Sequence, residues 1–428
     1  MRIAMFTNTY LPHVGGVARS VKTLEDACRR FGHEVKVVAP EFDGAEVSED
    51  VLRVPAIQKF NGSDFCVRLP MPNVIRDFIE DFGPDVIHSH HPFLLGDAAL
   101  RESWKMQVPI LFTHHTLYER YTHYVPLDSL ALKRMAIQLA TEYCNLCDQV
   151  IAPSDSIAKL LHDRMVITPI RSIPTGIDTE NFAAGDGPRF RQSAGIPLEA
   201  RVIGHVGRLA REKNLIFLCE AVALRLKGDP QSLFLVVGDG DAREEMVGIF
   251  EKAGCGKQVH FAGKKSGQEL ADAYAAMDWF VFASQTETQG IVLAEAMAAG
   301  KPVVALDGPG VREIVEDGAN GILLRADAPA EEFASALEML MADEVFSGAC
   351  SERARESAEI YTTDHCARQM IRCYEELIES HDRIFDDDPM PWDRLMASVE
   401  VEWDLLSAKV SAAAAAVIET PATEASLD

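Results

Sequence analysis

Glu287 and Glu295 stand eight positions apart, between an apolar strand-like run at 279–283 and a short small-residue run at 291–299 that reads as a helix. Glu287 then falls on the connecting loop beside Gly290, where backbone N–H groups at a helix N-terminus can hold an anion. Glu295 falls about one turn into the helix, close to the crevice at the carboxyl ends of the strands. One carboxylate on the loop and one on the helix could grip two hydroxyl-bearing parts of a single ligand. A capping glutamate and a solvated helix glutamate explain the same spacing, and from these residues alone the two readings stand level.

A cationic pair lies elsewhere in the same half. The strand-like run 201–207 ends in Gly207 and Arg208, with Lys213 following before a helix-like run at 215–226. Arg208 as a fork and Lys213 as a point charge could neutralise a diphosphate, with ordinary surface cations as the alternative. The next strand-like run ends at Gly238, and Asp239 and Asp241 read as caps for a helix starting near Ala242 rather than as metal ligands.

The first half holds two further candidates. Gly15 and Gly16 separate a strand-like run at 2–7 from a helix at 17–31, so backbone could approach a phosphate or sugar ring closely. A tight turn needing positive φ is an equal reading, and the G-x-G-x-x-G of a dinucleotide site is not present. His88, His90 and His91 follow one strand-like run, and His114 and His115 follow the next. Adjacent parallel strands would bring these rings together. A histidine bonded to a substrate hydroxyl fits better than zinc, because no metal-ligand spacing is recognisable.

What must position these groups is an alternation of strand and helix patterns almost from end to end, which means parallel sheets with crossover helices. At 428 residues the chain exceeds one ordinary core, and the Pro- and Gly-rich stretch 168–188 reads as a hinge between two doubly wound α/β domains. A net charge of −25 argues against broad nucleic-acid binding and against strong long-range attraction to anionic membranes. No apolar run of 18 or more residues occurs, the first residues lack the zones of a signal peptide, and nine cysteines follow no framework spacing. Reduced thiols in a cytosol are therefore expected, with Cys144 and Cys147 as packing residues. The acidic run 386–388 reads as a solvated linker and 411–428 as disordered or loosely attached.

Taken together, these segments resemble the retaining glycosyltransferases of family 4. Glu287 and Glu295 match the family's E-x7-E motif, and Gly207, Arg208 and Lys213 match G-R-x(4)-K. The stretches 173–178, 237–240 and 259–263 match as well, and the resemblance covers about 1–380. Within the family, 7–17, 113–124 and 287–290 resemble the 1,2-diacylglycerol 3-glucosyltransferase branch, with Gly15 standing where Asn is usual.

The resemblance implies the GT-B fold: two doubly wound Rossmann-like domains facing across a cleft, with a C-terminal helical extension. Residues 1–175 would form the acceptor side and 176–364 the nucleotide-sugar side. A helix at 365–384 would cross back to the first domain, ahead of an acidic, partly helical or disordered tail at 385–428. Arg208 and Lys213 would hold the diphosphate, with Gly15 and Gly16 approaching from the other domain and Gly238 at the same edge. Glu295 would take the ribose hydroxyls and Val259 would lie near the base. Glu287 would contact the transferred sugar, helped by the backbone of Thr288, Gln289 and Gly290, and His115 would be the active-site histidine beside it.

The family's chemistry is front-face transfer from a nucleotide sugar, here UDP-glucose as co-substrate, with no metal and no cofactor. The branch implies a diacylglycerol acceptor and a cytoplasmic enzyme peripheral to the inner membrane face, without a nucleic-acid partner. Candidate lipid-facing segments are 60–65, 93–95 and the helix 131–146 with Lys133 and Arg134. A soluble sugar acceptor, or a phosphorylase or epimerase of the same architecture, stands as the alternative.

Overall fold

The computed structural model describes residues 1–13, 15–42, 44–57, 67–68, 72–120 and 130–384. The apolar segment 60–65, the acidic run 386–388 and the tail 385–428 lie outside the described residues. The chain divides into two compact units, one of Met1–Pro153, Ala158–Ile173 and Ala367–Asp428, the other of Ser154–Ile157 and Pro174–Cys366.

The first unit is built on a parallel sheet of seven strands: β1 (Arg2–Phe6), β2 (Glu34–Pro40), β3 (Val51–Val54), β6 (Val86–Ser89), β7 (Ile110–Thr113), β8 (Gln149–Ala152) and β9 (Ile170–Ser172). A separate antiparallel pair is formed by β4 (Ala56–Ile57) and β5 (Val67–Arg68). The sheet order is β3-β2-β1-β6-β7-β8-β9, so the direction of winding reverses between β1 and β6. Every residue of β6, β7 and β8 is buried, which is why these strands read as short continuous runs without alternation. The crossovers are α1 (Gly16–Arg30), α2 (Pro72–Phe82), α3 (Leu95–Met106), α4 (Leu130–Asn145) and α5 (Asp155–Asp163).

The second unit repeats the plan with six parallel strands: β10 (Arg201–Val206), β11 (Ser232–Val237), β12 (Val259–Gly263), β13 (Trp279–Phe282), β14 (Val303–Leu306) and β15 (Gly321–Leu324). Their order, β12-β11-β10-β13-β14-β15, reverses between β10 and β13. Its helices are α6 (Thr179–Ala183), α7 (Gly187–Ala194), α8 (Leu215–Leu226), α9 (Arg243–Ala253), α10 (Gly267–Ala275), α11 (Ile291–Ala298), α12 (Ala330–Ala342) and α13 (Glu344–Ala358). One core gathers Phe190, Tyr274, Leu293 and Met297 against Phe280 and Phe282. A second gathers Leu218, Met246, Phe333 and Leu337 against Phe234 and Val281. Adjacent residues of β13 thus feed opposite faces of the sheet, as the pleat requires.

The last helix, α14 (Thr363–Ile384), belongs from Ala367 onward to the first unit, where Met370, Ile371, Cys373 and Tyr374 pack with Ile3, Val21 and Val37. Cys144 and Cys147 are buried free thiols, pushed up by burial, and the Cys147 thiol donates to the Tyr143 carbonyl. No helix among the described residues is long and apolar enough to cross a membrane.

Candidate functional site

In an open parallel sheet the loops at the carboxyl ends of the strands diverge where the winding reverses, leaving a crevice there. In the second unit those loops follow β10 and β13, and they carry Arg208, Lys213 and Glu287. The Lys213 ammonium donates to Glu287 Oε1 at 2.7 Å, with both side chains 17% exposed. Burial pushes the Glu287 carboxyl up, but Lys213, a bond from Ser284 and the nearby His205 outweigh it and hold it below its usual value. Glu287 is therefore a carboxylate and not a general acid. Arg208 pairs with Glu212 four residues later, a partner that the reading of the sequence passed over. Two further bonds join the loops: Thr286 donates to the Glu212 carbonyl at 3.1 Å and Asn214 to the Ala283 carbonyl at 3.2 Å.

Neither bland reading of the two glutamates holds. The residue capping α11 is Gly290, at φ +72°, with no side-chain cap bond, so Glu287 is not a cap. Glu295 is not solvated: it is 2% exposed, and Oε2 accepts from the Tyr274 hydroxyl at 2.7 Å. The aspartates after β11 do not cap a helix either. Helix α9 begins at Arg243 without a side-chain cap, and Asp239 Oδ1 accepts from Gly240 N at 3.0 Å instead.

Backbone packing explains the glycine of that loop. A Cβ on Gly238, at φ +136°, would stand 1.8 Å from the Gly207 carbonyl oxygen, so the β10 and β11 loops touch main chain to main chain. Gly238 N donates in turn to the Gly263 carbonyl at 2.9 Å, placing the end of β12 at the same edge. Val259 opens β12 at its amino end and packs on the core; Gly263 is the residue of that segment at the carboxyl edge. The Gln289 side chain is engaged at both ends, accepting from Thr175 N at 2.7 Å and donating to Thr175 O at 2.8 Å. The Thr288 carbonyl accepts from the Ser154 hydroxyl at 2.7 Å.

His205, in β10, was not singled out from the sequence. Its Nδ1 donates to the Val281 carbonyl at 3.1 Å, its ring lies against Phe280 and Phe282, and Nε2 is buried without a partner among the described residues. Burial lowers its pKa to about 4. A lone polar residue among the buried residues 202–206 of the strand was the available signal.

In the first unit the reversal falls between β1 and β6. Asn8 ties the two loops: its backbone N–H donates to His91 Nδ1 at 3.0 Å, its amide to the Phe93 carbonyl at 3.0 Å, and its Oδ1 accepts from Leu95 N at 3.2 Å. Gly15 is extended, at φ −161°, and Gly16 opens α1 without a positive φ, so the tight-turn reading of this pair is overturned. Among the described residues, a Cβ on Gly16 would meet nothing within 4 Å. The five histidines do come together. His90 Nδ1 lies 2.9 Å from His115 Nε2, and the His88 and His90 ring centroids are 3.9 Å apart. Burial takes His88 and His91 to about 3, His114 to about 4, and His90 and His115 well below the ordinary range. Of the apolar segment 93–95, Leu95 is buried and Phe93 packs edge-on against Tyr118; in α4, Leu130 is exposed and 131–139 are half-buried although mostly apolar.

Residues 14–181 match the family described as Glycosyltransferase Family 4, and 186–357 match Glycosyl transferases group 1. The alpha-monoglucosyldiacylglycerol synthase of Acholeplasma laidlawii is 29% identical over 90% of this chain and 99% of its own. The protein of the same name from Streptococcus pneumoniae is 30% identical over 76% of this chain and 75% of its own. A GDP-mannose-dependent alpha-mannosyltransferase of Corynebacterium glutamicum is 28% identical over 90% of this chain and 91% of its own. Among solved structures, sucrose-phosphate synthase from Thermosynechococcus elongatus has a TM-score of 0.72 at 21% identity, covering 89% of this chain and 99% of that one. Two parallel-sheet units with these loops, matched over both halves, make the chain a member of glycosyltransferase family 4, with the GT-B fold and the activity of a glycosyltransferase.

Proposed function

We propose that the chain is a retaining hexosyltransferase that moves glucose from UDP-glucose to a hydroxyl of diacylglycerol by front-face transfer. The observation that carries this reading is the Lys213–Glu287 pair at the strand reversal: an ammonium beside an ionised carboxylate, with Arg208 on the same loop. A glycosidase would need one carboxyl group kept protonated as a general acid. A site that holds Glu287 ionised serves hydroxyl recognition better, and its cations suit a departing diphosphate.

In this reading Arg208 and Lys213 meet the negative charge that grows on the leaving group. Glu287 exchanges Lys213 for hydroxyls of the sugar, and Glu295, oriented by Tyr274, accepts from the ribose hydroxyls. Gly238 and Gly263 let the nucleoside lie close against the main chain. The backbone of Thr288, Gln289 and Gly290 completes the sugar side. The β-phosphate oxygen takes the acceptor's proton as the acceptor oxygen enters on the departing face. Stabilisation of the transition state is then mainly electrostatic. No metal or cofactor is assigned a role.

The lipid acceptor is supported by the name of the two bacterial synthases and by the apolar, half-buried start of α4 with Lys133 and Arg134. The mannosyltransferase relative favours GDP-mannose as the competing donor. The deciding experiment presents UDP-glucose or GDP-mannose to the purified chain, each with diacylglycerol in mixed micelles or with free sugars. Glucosyl-diacylglycerol with the anomeric configuration retained is the expected product. Transfer to free sugar alone removes the lipid acceptor, preference for GDP-mannose removes the donor assignment, and inversion removes the mechanism.

A further inference from the structure

The histidine cluster of the first unit holds a proton whose position the surroundings decide. His90 stands just beyond β6 and His115 just beyond β7, with His90 Nδ1 and His115 Nε2 at 2.9 Å and the rings stacked at 24°. His88 lies against His90, and both of its nitrogens are engaged, Nδ1 with the Tyr374 hydroxyl and Nε2 with the Thr113 hydroxyl, each at 2.7 Å. Burial keeps all three rings neutral at pH 7, so each carries one N–H. Two neutral rings meeting nitrogen to nitrogen share a single proton: either His90 Nδ1–H donates or His115 Nε2–H does.

His90 Nε2 breaks the tie, because it is buried and has no hydrogen-bond partner among the described residues. With the His90 proton on Nε2, an N–H would be sealed away from any acceptor. With it on Nδ1, only a lone pair goes unused, and buried proteins tolerate an idle acceptor better than an orphaned N–H. We propose that His90 is a positioning residue that donates Nδ1–H to His115 Nε2 and so fixes His115 as the Nδ1–H tautomer, a hydrogen-bond donor and not a base. The inference rests on His115 being the histidine beside the transferred sugar. A fixed donor there can hold a sugar oxygen, and it cannot take the acceptor's proton, which is left to the phosphate oxygen of the leaving group.

The test is a nitrogen-detected spectrum of the full-length chain carrying 15N-histidine, with His115 assigned from the His115→Gln variant. The Nδ1–H signature for His115 at pH 7.5 is expected, and the Nε2–H signature overturns the inference whatever the activity data show. Turnover supplies a second arm. His90→Leu lowers kcat about 10- to 100-fold with the donor KM little changed, and His90→Asn, whose amide N–H stands where Nδ1 stood, restores most of it. If His115→Ala transfers normally, the assignment of His115 to the sugar fails while the tautomer result stands. If His115→Ala is inactive but His90→Leu turns over like the parent, His90 has no positioning role. Should His90→Leu not fold, the spectrum of the unaltered chain decides alone.

Discussion

Lys213 donates to Glu287 across the two loops that flank the strand reversal of the second unit, so the chain's cation and carboxylate occupy each other at 2.7 Å. A phosphate that engages Lys213 has to displace a carboxylate, and the displaced Glu287 then accepts from whatever hydroxyls arrive with that phosphate. Donor binding on this reading is an exchange of partners. The neighbouring Arg208–Glu212 pair has the same form.

Replacing Lys213 by Met leaves the Glu287 carboxylate half-buried without its ammonium partner, and burial then raises its pKa. In the parent the depressed Glu287 value contributes stability that is present above the ordinary 4.5 and lost as pH falls through the folded value. The variant has the opposite dependence, recovering as Glu287 protonates. The gap in thermal midpoint between parent and Lys213→Met should therefore narrow from pH 7 to pH 4.5, while transfer at pH 7 falls about 10²–10³-fold. A gap that stays constant across that range would mean that Lys213 does not hold Glu287 ionised.

Glu212→Gln removes the charge that competes with a diphosphate for Arg208 but keeps a side chain of the same length. The Arg208 side chain is 40% exposed, so the effect is modest and salt-sensitive. UDP should inhibit the variant at a concentration about two- to fivefold lower than the parent in low salt, with the difference fading at 0.5 M NaCl. Weaker inhibition by UDP would show that Glu212 orients Arg208 rather than competing for it.

The sequence was most informative where one residue type has one physical use. The buried runs of β6, β10 and β13 and the boundaries of α8 at Leu215 and Leu226 could be read from apolar continuity alone. Partners were legible only where both lay in a motif. Lys213 and Glu287 are 74 positions apart, and nothing local to either says that they meet. Glu212 adjoins Lys213 and was missed because a carboxylate inside a cationic turn looks like dilution, not pairing. Gly15 and Gly16 suggested a positive φ, because that is what glycine most often supplies, whereas the backbone there is ordinary. Tyr274 is 21 positions from Glu295 and lies in none of the motifs, so the orientation of Glu295 could not be anticipated.

Six histidines, His88, His90, His91, His114, His115 and His205, are buried neutral with folded pKa values below 6.5. Below that pH the unfolded chain charges them and the native fold does not. Their contribution is thus fully present above about 6.5 and is lost as pH falls toward 4. Calorimetric unfolding at pH 5.5, repeated in buffers of different ionisation enthalpy, should register uptake of about five protons from these rings. Uptake below about two would mean that the cluster is already charged in the folded chain, against the burial of His88 and His90 with ring centroids 3.9 Å apart.

Two glycine substitutions separate folding from binding. Gly290→Ala puts a side chain at φ +72° and a Cβ 2.8 Å from the Gly310 carbonyl oxygen, so the β13–α11 loop has to move. A loss of about 1–2 kcal/mol from the backbone alone is expected, with transfer falling alongside stability. Gly16→Ala meets open space at an ordinary φ, and alanine is the better residue in a helix. That variant should melt no lower than the parent. If the Gly16 backbone approaches the donor's phosphates, the added methyl group holds them off, and the KM for the nucleotide sugar rises about tenfold or more, the equivalent of about 1.4 kcal/mol of lost contact. A Gly16→Ala chain with unaltered stability and unaltered donor KM would show that the donor does not reach this turn, and would leave the cations of the second unit to hold the diphosphate alone.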